Sequence, residues 1–224
     1  MTAAGWPRRR VLGVAGLVGA AGLVAACSDE APTPAAPPAA PTTPSTTPPS
    51  TTPGVAAPAY TGDLQVAALA AALANLAASL YADAVGGSSG RSGPLPDVVA
   101  SFLRGAGAQH AETAGDWNRV LAAGGRPAVT GTPLTVEASR RSALAGATGP
   151  ADVLALAVDL ETSIAATLVA RLPELTDPTA LARAADAAPV AAMHAATAAF
   201  LLGRPAGTPP GPGAAALDRS ALRS

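Results

Sequence analysis

Residues 61–87 read TGDLQVAALAAALANLAASLYADAVGG. Val66, Leu69, Leu73, Leu76 and Leu80 recur there at spacings of 3, 4, 3 and 4, the stripe of a helix with 3.6 residues per turn. Thr61 is suited to cap its start and Gly86-Gly87 to end it. The same period returns downstream. A second helix opens near Pro94 to Pro96, because proline is tolerated in a first turn, and carries Val99, Leu103, His110, Trp117 and Leu121 before Gly124-Gly125. Its Gly105, Gly107 and Gly115 each cost roughly 1 kcal/mol against Ala and are read as points where another helix comes close. After a loop and a weaker helical stretch, Val136 to Ala145, a third long helix starts at Gly149-Pro150 with Val153, Leu154, Val158, Glu161, Ile164, Leu168 and Leu172. A fourth starts at Asp177-Pro178 and runs to Leu202, with a kink expected at Pro189. No run alternates with the period of a strand. Four long helices with alternating short and long connections predict an all-α four-helix bundle over residues 60–204.

The chain also repeats itself. Asn75-Leu76-Ala77-Ala78-Ser79-Leu80-Tyr81-Ala82 aligns with Ser163-Ile164-Ala165-Ala166-Thr167-Leu168-Val169-Ala170. The correspondence continues through His110 and His194 to Gly125-Arg126-Pro127 and Gly203-Arg204-Pro205. Two pseudo-repeated helical hairpins are expected.

The ends differ in kind. Arg8, Arg9 and Arg10 precede an apolar run, Val11 to Ala26, that is short and glycine-diluted for a spanning helix and fits a cleaved export signal. Leu23-Val24-Ala25-Ala26-Cys27 resembles a bacterial lipobox, and Arg8-Arg9, followed by one residue and two apolar ones, resembles a twin-arginine motif. These resemblances imply a signal peptide over residues 1–26, lipidation of Cys27, and a protein anchored on the extracytoplasmic face of the cell membrane. One acyl chain binds only marginally whereas two hold stably, so a diacylated Cys27 suffices as the anchor. Residues 27–59 are Pro/Thr-rich, cannot build a core, and read as a disordered tether reaching at most roughly 100 Å. Residues 205–224 share the character and read as a disordered tail.

Composition excludes several classes. A formal net charge of -1, with all 14 basic residues Arg, leaves no footprint for nucleic acid. The single Cys excludes a disulfide framework, a zinc ribbon and an iron–sulfur cluster. No phosphate loop, nucleophile elbow or Cys–His pair is present.

Three polar residues interrupt apolar faces. The helical neighbours of Glu161 include Leu154, Val158, Ile164 and Leu168; those of His194 include Val190, Ala191 and Leu201; those of His110 include Leu103, Ala106 and Trp117. All three side chains therefore point into the bundle, and a buried charge must be paired or bind a metal.

One inward acid or histidine per helix, the helix lengths and the long crossover resemble the exported and lipoprotein branch of the ferritin-like superfamily. The resemblance covers residues 60–204. Its di-iron pattern takes one Glu from each of two helices and a Glu-x-x-His from each of the other two. Glu161 matches one acid, and His110 and His194 match the histidines. The remaining acids would fall at Gly107, at Ala191 and near Leu73 or Ala74. A di-iron centre is therefore not implied. The remaining donors can form a relic hydrogen-bond cluster in a non-enzymatic domain with a structural or partner-binding role, alone or as a homo-oligomer. Alternatively, two His and one Glu form the ligand set for a single divalent ion (Fe, Mn or Zn). Such an ion would keep about +1 of charge unless Tyr81, water or a nearby acid helps. Tyr81, Trp117 and Phe200 are read as core anchors, Glu112 and Asp116 as a solvated face, and Arg140-Arg141 as an exposed pair.

Overall fold

The computed structural model describes residues 60–87, 93–205 and 211–223. The export signal with Arg8 and Arg9, the lipidation site Cys27 and the tether lie outside these residues. Five helices follow in order: α1 Asp63–Gly86, α2 Asp97–Ala123, α3 Glu137–Ala145, α4 Pro150–Arg171 and α5 Pro178–Leu201. Helix α1 packs along α2 and α4 along α5, giving two hairpins, with α3 in the crossover between them. Among the described residues there is no strand, only an isolated antiparallel bridge between Leu134 and Leu222. The fold is the expected all-α bundle, and the weak stretch before Gly149 is a helix in its own right.

The leucine stripe of α1 is only part of what that helix buries. Ala67, Ala68, Ala71 and Ala72, on its other faces, are also fully covered. A helix apolar all round becomes a central element, and small side chains let α2, α3 and α4 approach it together. By length and hydropathy α1, α4 through Glu174, and α5 could each cross a membrane; α1 and α4 spend most of that apolar surface on the bundle. Helix α5 does not. Its outer face leaves Leu181, Met193 and Phe200 exposed, and Phe200, at 79% exposure, is not the core anchor the sequence suggested.

The repeat extends to local geometry. Gly125 and Gly203 both take positive φ, 68° and 70°. The next residues donate backward in the same way, Arg126 N to Leu121 O at 2.9 Å and Arg204 N to Ala199 O at 3.0 Å. Each hairpin thus closes with a Schellman motif, which needs the left-handed conformation that glycine adopts freely. The chain then folds back over its own hairpin. Asn75 Nδ2 donates to the Val129 carbonyl at 2.8 Å, and Ser163, its counterpart in the repeat, donates to the Ala215 carbonyl at 2.6 Å.

The expected disordered tail is corrected accordingly for residues 211–223. This stretch is a strap on α4. Gly211 N donates to Asp159, Leu217 N donates to Thr167 Oγ1 at 2.8 Å, and Arg219 pairs with Glu174. It meets the crossover loop where Thr135 N donates to Ala221 O and Arg223 N to Pro133 O. Extended backbone lacks helical partners, so its polar groups pair with α4 side chains and the loop. Ala214 and Ala221 become buried.

Smaller corrections follow the same logic. Gly62, not Thr61, is the N-cap of α1, without a side-chain cap. Arg140 and Arg141 are half-buried: Arg140 donates to the Gly213 carbonyl of the strap, and Arg141 bridges Asp83 and Glu137. Of the three α2 glycines only Gly107 faces another helix, its missing Cβ lying 3.5 Å from Tyr81 Cβ. Helix α5 continues through Pro189, on its exposed side.

Candidate metal centre

Four helices each send one polar side chain to the same interior point. Glu161 comes from α4, His110 from α2, His194 from α5 and Tyr81 from α1; Glu161 is 0% exposed, and the other three are buried. Each stands on a helix whose neighbouring positions are apolar, so helical periodicity alone carries it inward.

The hub is a single oxygen, Glu161 Oε1. Tyr81 donates its hydroxyl to it at 2.7 Å, and His110 Nε2 lies 2.8 Å away. His194 Nδ1 stands 3.3 Å from the same oxygen, within ion-pair range but off the angle of a hydrogen bond. The two imidazoles meet edge-on with centroids 5.4 Å apart. His194 is held from behind: its Nε2 lies 2.6 Å from Gln109 Oε1, and Phe102 packs against the ring. An amide oxygen at that distance accepts from a protonated Nε2, and in the neutral ring that tautomer leaves Nδ1 as an acceptor. Two buried ligand atoms, Glu161 Oε2 and His194 Nδ1, have no hydrogen-bond partner.

Burial raises the affinity of Glu161 for a proton, but the contacts and charges of His110 and His194 outweigh it, so the carboxyl lies below its ordinary value. Tyr81 is pushed well above its usual range, by burial first and then by the adjacent Glu161 carboxylate; the Arg140 guanidinium pulls the other way.

Beside the histidines lies a cavity of about 20 Å³, bordered by Leu73, Ala74, Trp117, Leu168 and Ala191. It has room for about one water. Leu73, Ala74 and Ala191 are the positions where the ferritin-like pattern would put acids, so their short or apolar side chains leave this small gap. A larger surface groove, between Tyr60, the 128–133 loop and Arg223, has none of the cluster in its wall.

The structure therefore brings together all three residues selected from sequence, His110, Glu161 and His194, with ligand atoms within 4.8 Å of one another. Trp117 is a core residue, as expected, and Glu112 lies on the exposed face. Tyr81, read from sequence as a core anchor that could also help an ion, is both a core residue and a member of the cluster. Gln109, which orients His194, was not anticipated; its place beside His110 in the chain was its sequence signal. A pair of metal ions does not fit this donor set, because one carboxylate cannot bridge and balance two cations and Gly107 and Ala191 supply none. The set suits one ion: the donors come from three helices, with the histidine nitrogens 2.8 and 3.3 Å from Glu161 Oε1, near the roughly 3 Å between neighbouring ligands at 2.0–2.1 Å bonds.

A family profile described as a ferritin-like domain matches residues 62–204, more than half of the chain. No curated protein and no solved structure matches it. The matched span runs from the N-cap of α1 to the end of the second Schellman motif and includes every member of the cluster. The chain belongs to the ferritin-like domain family.

Proposed function

We propose that this protein is a lipid-anchored, extracytoplasmic ferritin-like domain that holds one divalent ion on His110, Glu161 and His194 and does not turn over a substrate. The observation that carries the metal reading is the contact between His194 Nδ1 and Glu161 Oε1. They are a ring nitrogen and a carboxylate oxygen, 3.3 Å apart and buried, with no well-aligned hydrogen bond between them. A neutral imidazole nitrogen and a carboxylate oxygen facing each other at that distance suit a cation shared between them. The enclosed one-water gap supports binding over turnover, because a substrate has no room beside the ligands. The anchor rests on Cys27 at the end of the apolar run.

A second reading, the metal-free relic, is favoured by His110. Its Nε2 already points at Glu161 Oε1 as a hydrogen-bond donor, and Tyr81 completes that oxygen's shell. In this reading the cation shared with His194 is a proton.

Elemental analysis and equilibrium binding of Zn(II), Mn(II) and Fe(II) to the full chain decide between them. The expected result is one ion per chain, lost in a His110→Ala/His194→Ala double variant that keeps its helical signal. Absence of stoichiometric binding establishes the relic. For the anchor, Cys27→Ser is expected to move the protein out of the membrane fraction; unchanged retention removes that part of the proposal.

A further inference from the structure

We infer that the outer face of α5 is a twofold, antiparallel contact with the α5 of a second copy of this chain; no ion takes part in it.

Helices α1 and α4 bury 72% and 61% of their most apolar stretches inside the bundle, whereas α5 buries only 28%. What α5 leaves outside is patterned. Ala182, Ala185, Pro189, Met193, Ala196 and Phe200 are all exposed and follow at spacings of 3, 4, 4, 3 and 4, one stripe along the helix. Met193, at 56% exposure, and Phe200, at 79%, stand largely in water. No charge interrupts the stripe. Asp186 lies at its edge, and Arg183 pairs sideways with Asp116 of α2 at 3.4 Å. A contiguous apolar patch of this length marks a contact surface.

The distribution of size along the stripe selects the occupant. Its N-terminal half is small, with Ala182 and Ala185, and its C-terminal half carries the bulk, Met193 and Phe200. Pro189 stands at the midpoint of Pro178–Leu201. A twofold axis through Pro189 lays a second α5 antiparallel on the first. Met193 then falls on Ala185 of the partner subunit, and Phe200 falls between Pro178 of the partner subunit and Ala182 of the partner subunit. Each large side chain meets small ones, and the twofold makes the reverse contacts at the other end. A parallel pairing would stack Phe200 on its own copy and leave the alanine half open. Small residues at the crossing let the two axes approach to roughly 8 Å.

Area agrees with this occupant. The 24 residues of α5 make a helix about 36 Å long, and a contact roughly 20 Å wide along it covers about 700 Å² per copy. A standard stable interface takes about 800 Å² from each partner. A bilayer is the competing occupant, but a helix that lies on lipid lines its apolar face with Lys and Arg. Here the edge carries Asp186, and the nearby Arg183 is already paired. With an area at the lower end and no ion pair across it, the contact is expected to have a Kd of about 10 μM. Dilute protein is then monomeric, with Phe200 in the open. On the anchored protein proposed above, confinement to one surface raises the local concentration and favours the pair.

The test uses the full chain carrying Cys27→Ser, which removes its one cysteine. Sedimentation velocity between about 1 and 200 μM is expected to show a monomer passing into a dimer. Met193→Glu/Phe200→Glu changes two exposed positions, and is expected to keep the helical signal and weaken association at least about tenfold. Under mild oxidation Pro189→Cys is expected to join two copies, whereas Ala111→Cys, on the exposed face of α2, is not. A monomer at the highest concentration, a dimer indifferent to the double variant, or equal cross-linking of the two cysteines overturns the inference. So does a monomer that floats with phosphatidylcholine–phosphatidylglycerol vesicles and no longer does so in the double variant, which would make this face a lipid contact.

Discussion

In the first hairpin position 73 is Leu, and in the second the matching position, 161, is Glu. Both side chains are fully buried at the same depth of their helices. Around this difference the two halves are otherwise built alike. Each has a histidine midway along its second helix, each ends in the same glycine turn, and each sends its following segment back over its own first helix. A symmetric pair of acids would suit two ions. One acid against one leucine gives a centre owned by neither half, in which α4 supplies the carboxylate and the other hairpin surrounds it with His110 and Tyr81. This asymmetry, with Gly107 and Ala191 where further acids would stand, leaves one carboxylate in the interior and the backbone plan unchanged.

Aromatic residues sharpen the comparison most. Trp117 stands seven residues after His110, on the closed side of its hairpin, and is 1% exposed. Phe200, six residues after His194, lies in the open. Trp117→Ala is expected to cost about 3–5 kcal/mol, lowering the thermal midpoint by roughly 10 °C. Phe200→Ala is expected to stay within about 0.5 kcal/mol. Thermal denaturation followed by circular dichroism checks both. Similar losses at the two sites would mean that α5's outer face is covered in solution.

The straps come next. The first is locked into the crossover, and the second can be removed by truncation. Truncation after Pro205 would leave Ser163, Thr167 and Asp159 of α4 without the strap's backbone partners and uncover the apolar surface under Ala214 and Ala221. A loss of about 3 kcal/mol is expected, or roughly 6–12 °C. An unchanged midpoint would return this stretch to the role of a loose tail.

The helices and the inward direction of His110, Glu161 and His194 were legible because both depend on period, and period is local. Tyr81 read as a core residue for an equally sound reason, since Ala77, Ala78, Ala84 and Val85 surround it on its own helix. Where its hydroxyl lands depends on how α1 crosses α4, which no spacing states. The strap was hidden by composition. Its Pro and Gly match the tether's, and what orders it is the polar pair Ser163 and Thr167 on the far face of α4, one turn apart. Phe200 went astray because the rule that apolar residues lie inside runs one way only.

The smallest expected effect separates how the two halves begin. At the start of α4, Asp152 accepts from Thr148 and Gly149, within its own turn. At the start of α1, Asp63 reaches out of its hairpin. Its Oδ2 accepts from Thr176 N at 2.8 Å, Thr176 Oγ1 at 3.0 Å and Asp177 N at 2.5 Å, just before α5, where Asp177 in turn caps Thr179 and Ala180. The backbone N–H of Asp177, foremost, and the two Thr176 groups lower the Asp63 pKa below its ordinary 3.8, against the opposing effect of burial. A depressed carboxyl stabilises the fold above its unfolded value and loses that contribution as pH falls through its folded value. Asp63→Asn keeps the size but not the charge, and at this partly open site the loss is expected to be about 1 kcal/mol at pH 7, roughly 2–4 °C. The gap to the wild-type protein should close as both are acidified through and below the lowered Asp63 pKa, where Asp63 itself becomes neutral. Thermal midpoints of the two proteins across that range measure it. A gap that persists in acid would mean that Asp63 joins the hairpins by shape and hydrogen-bond geometry, with its charge contributing nothing.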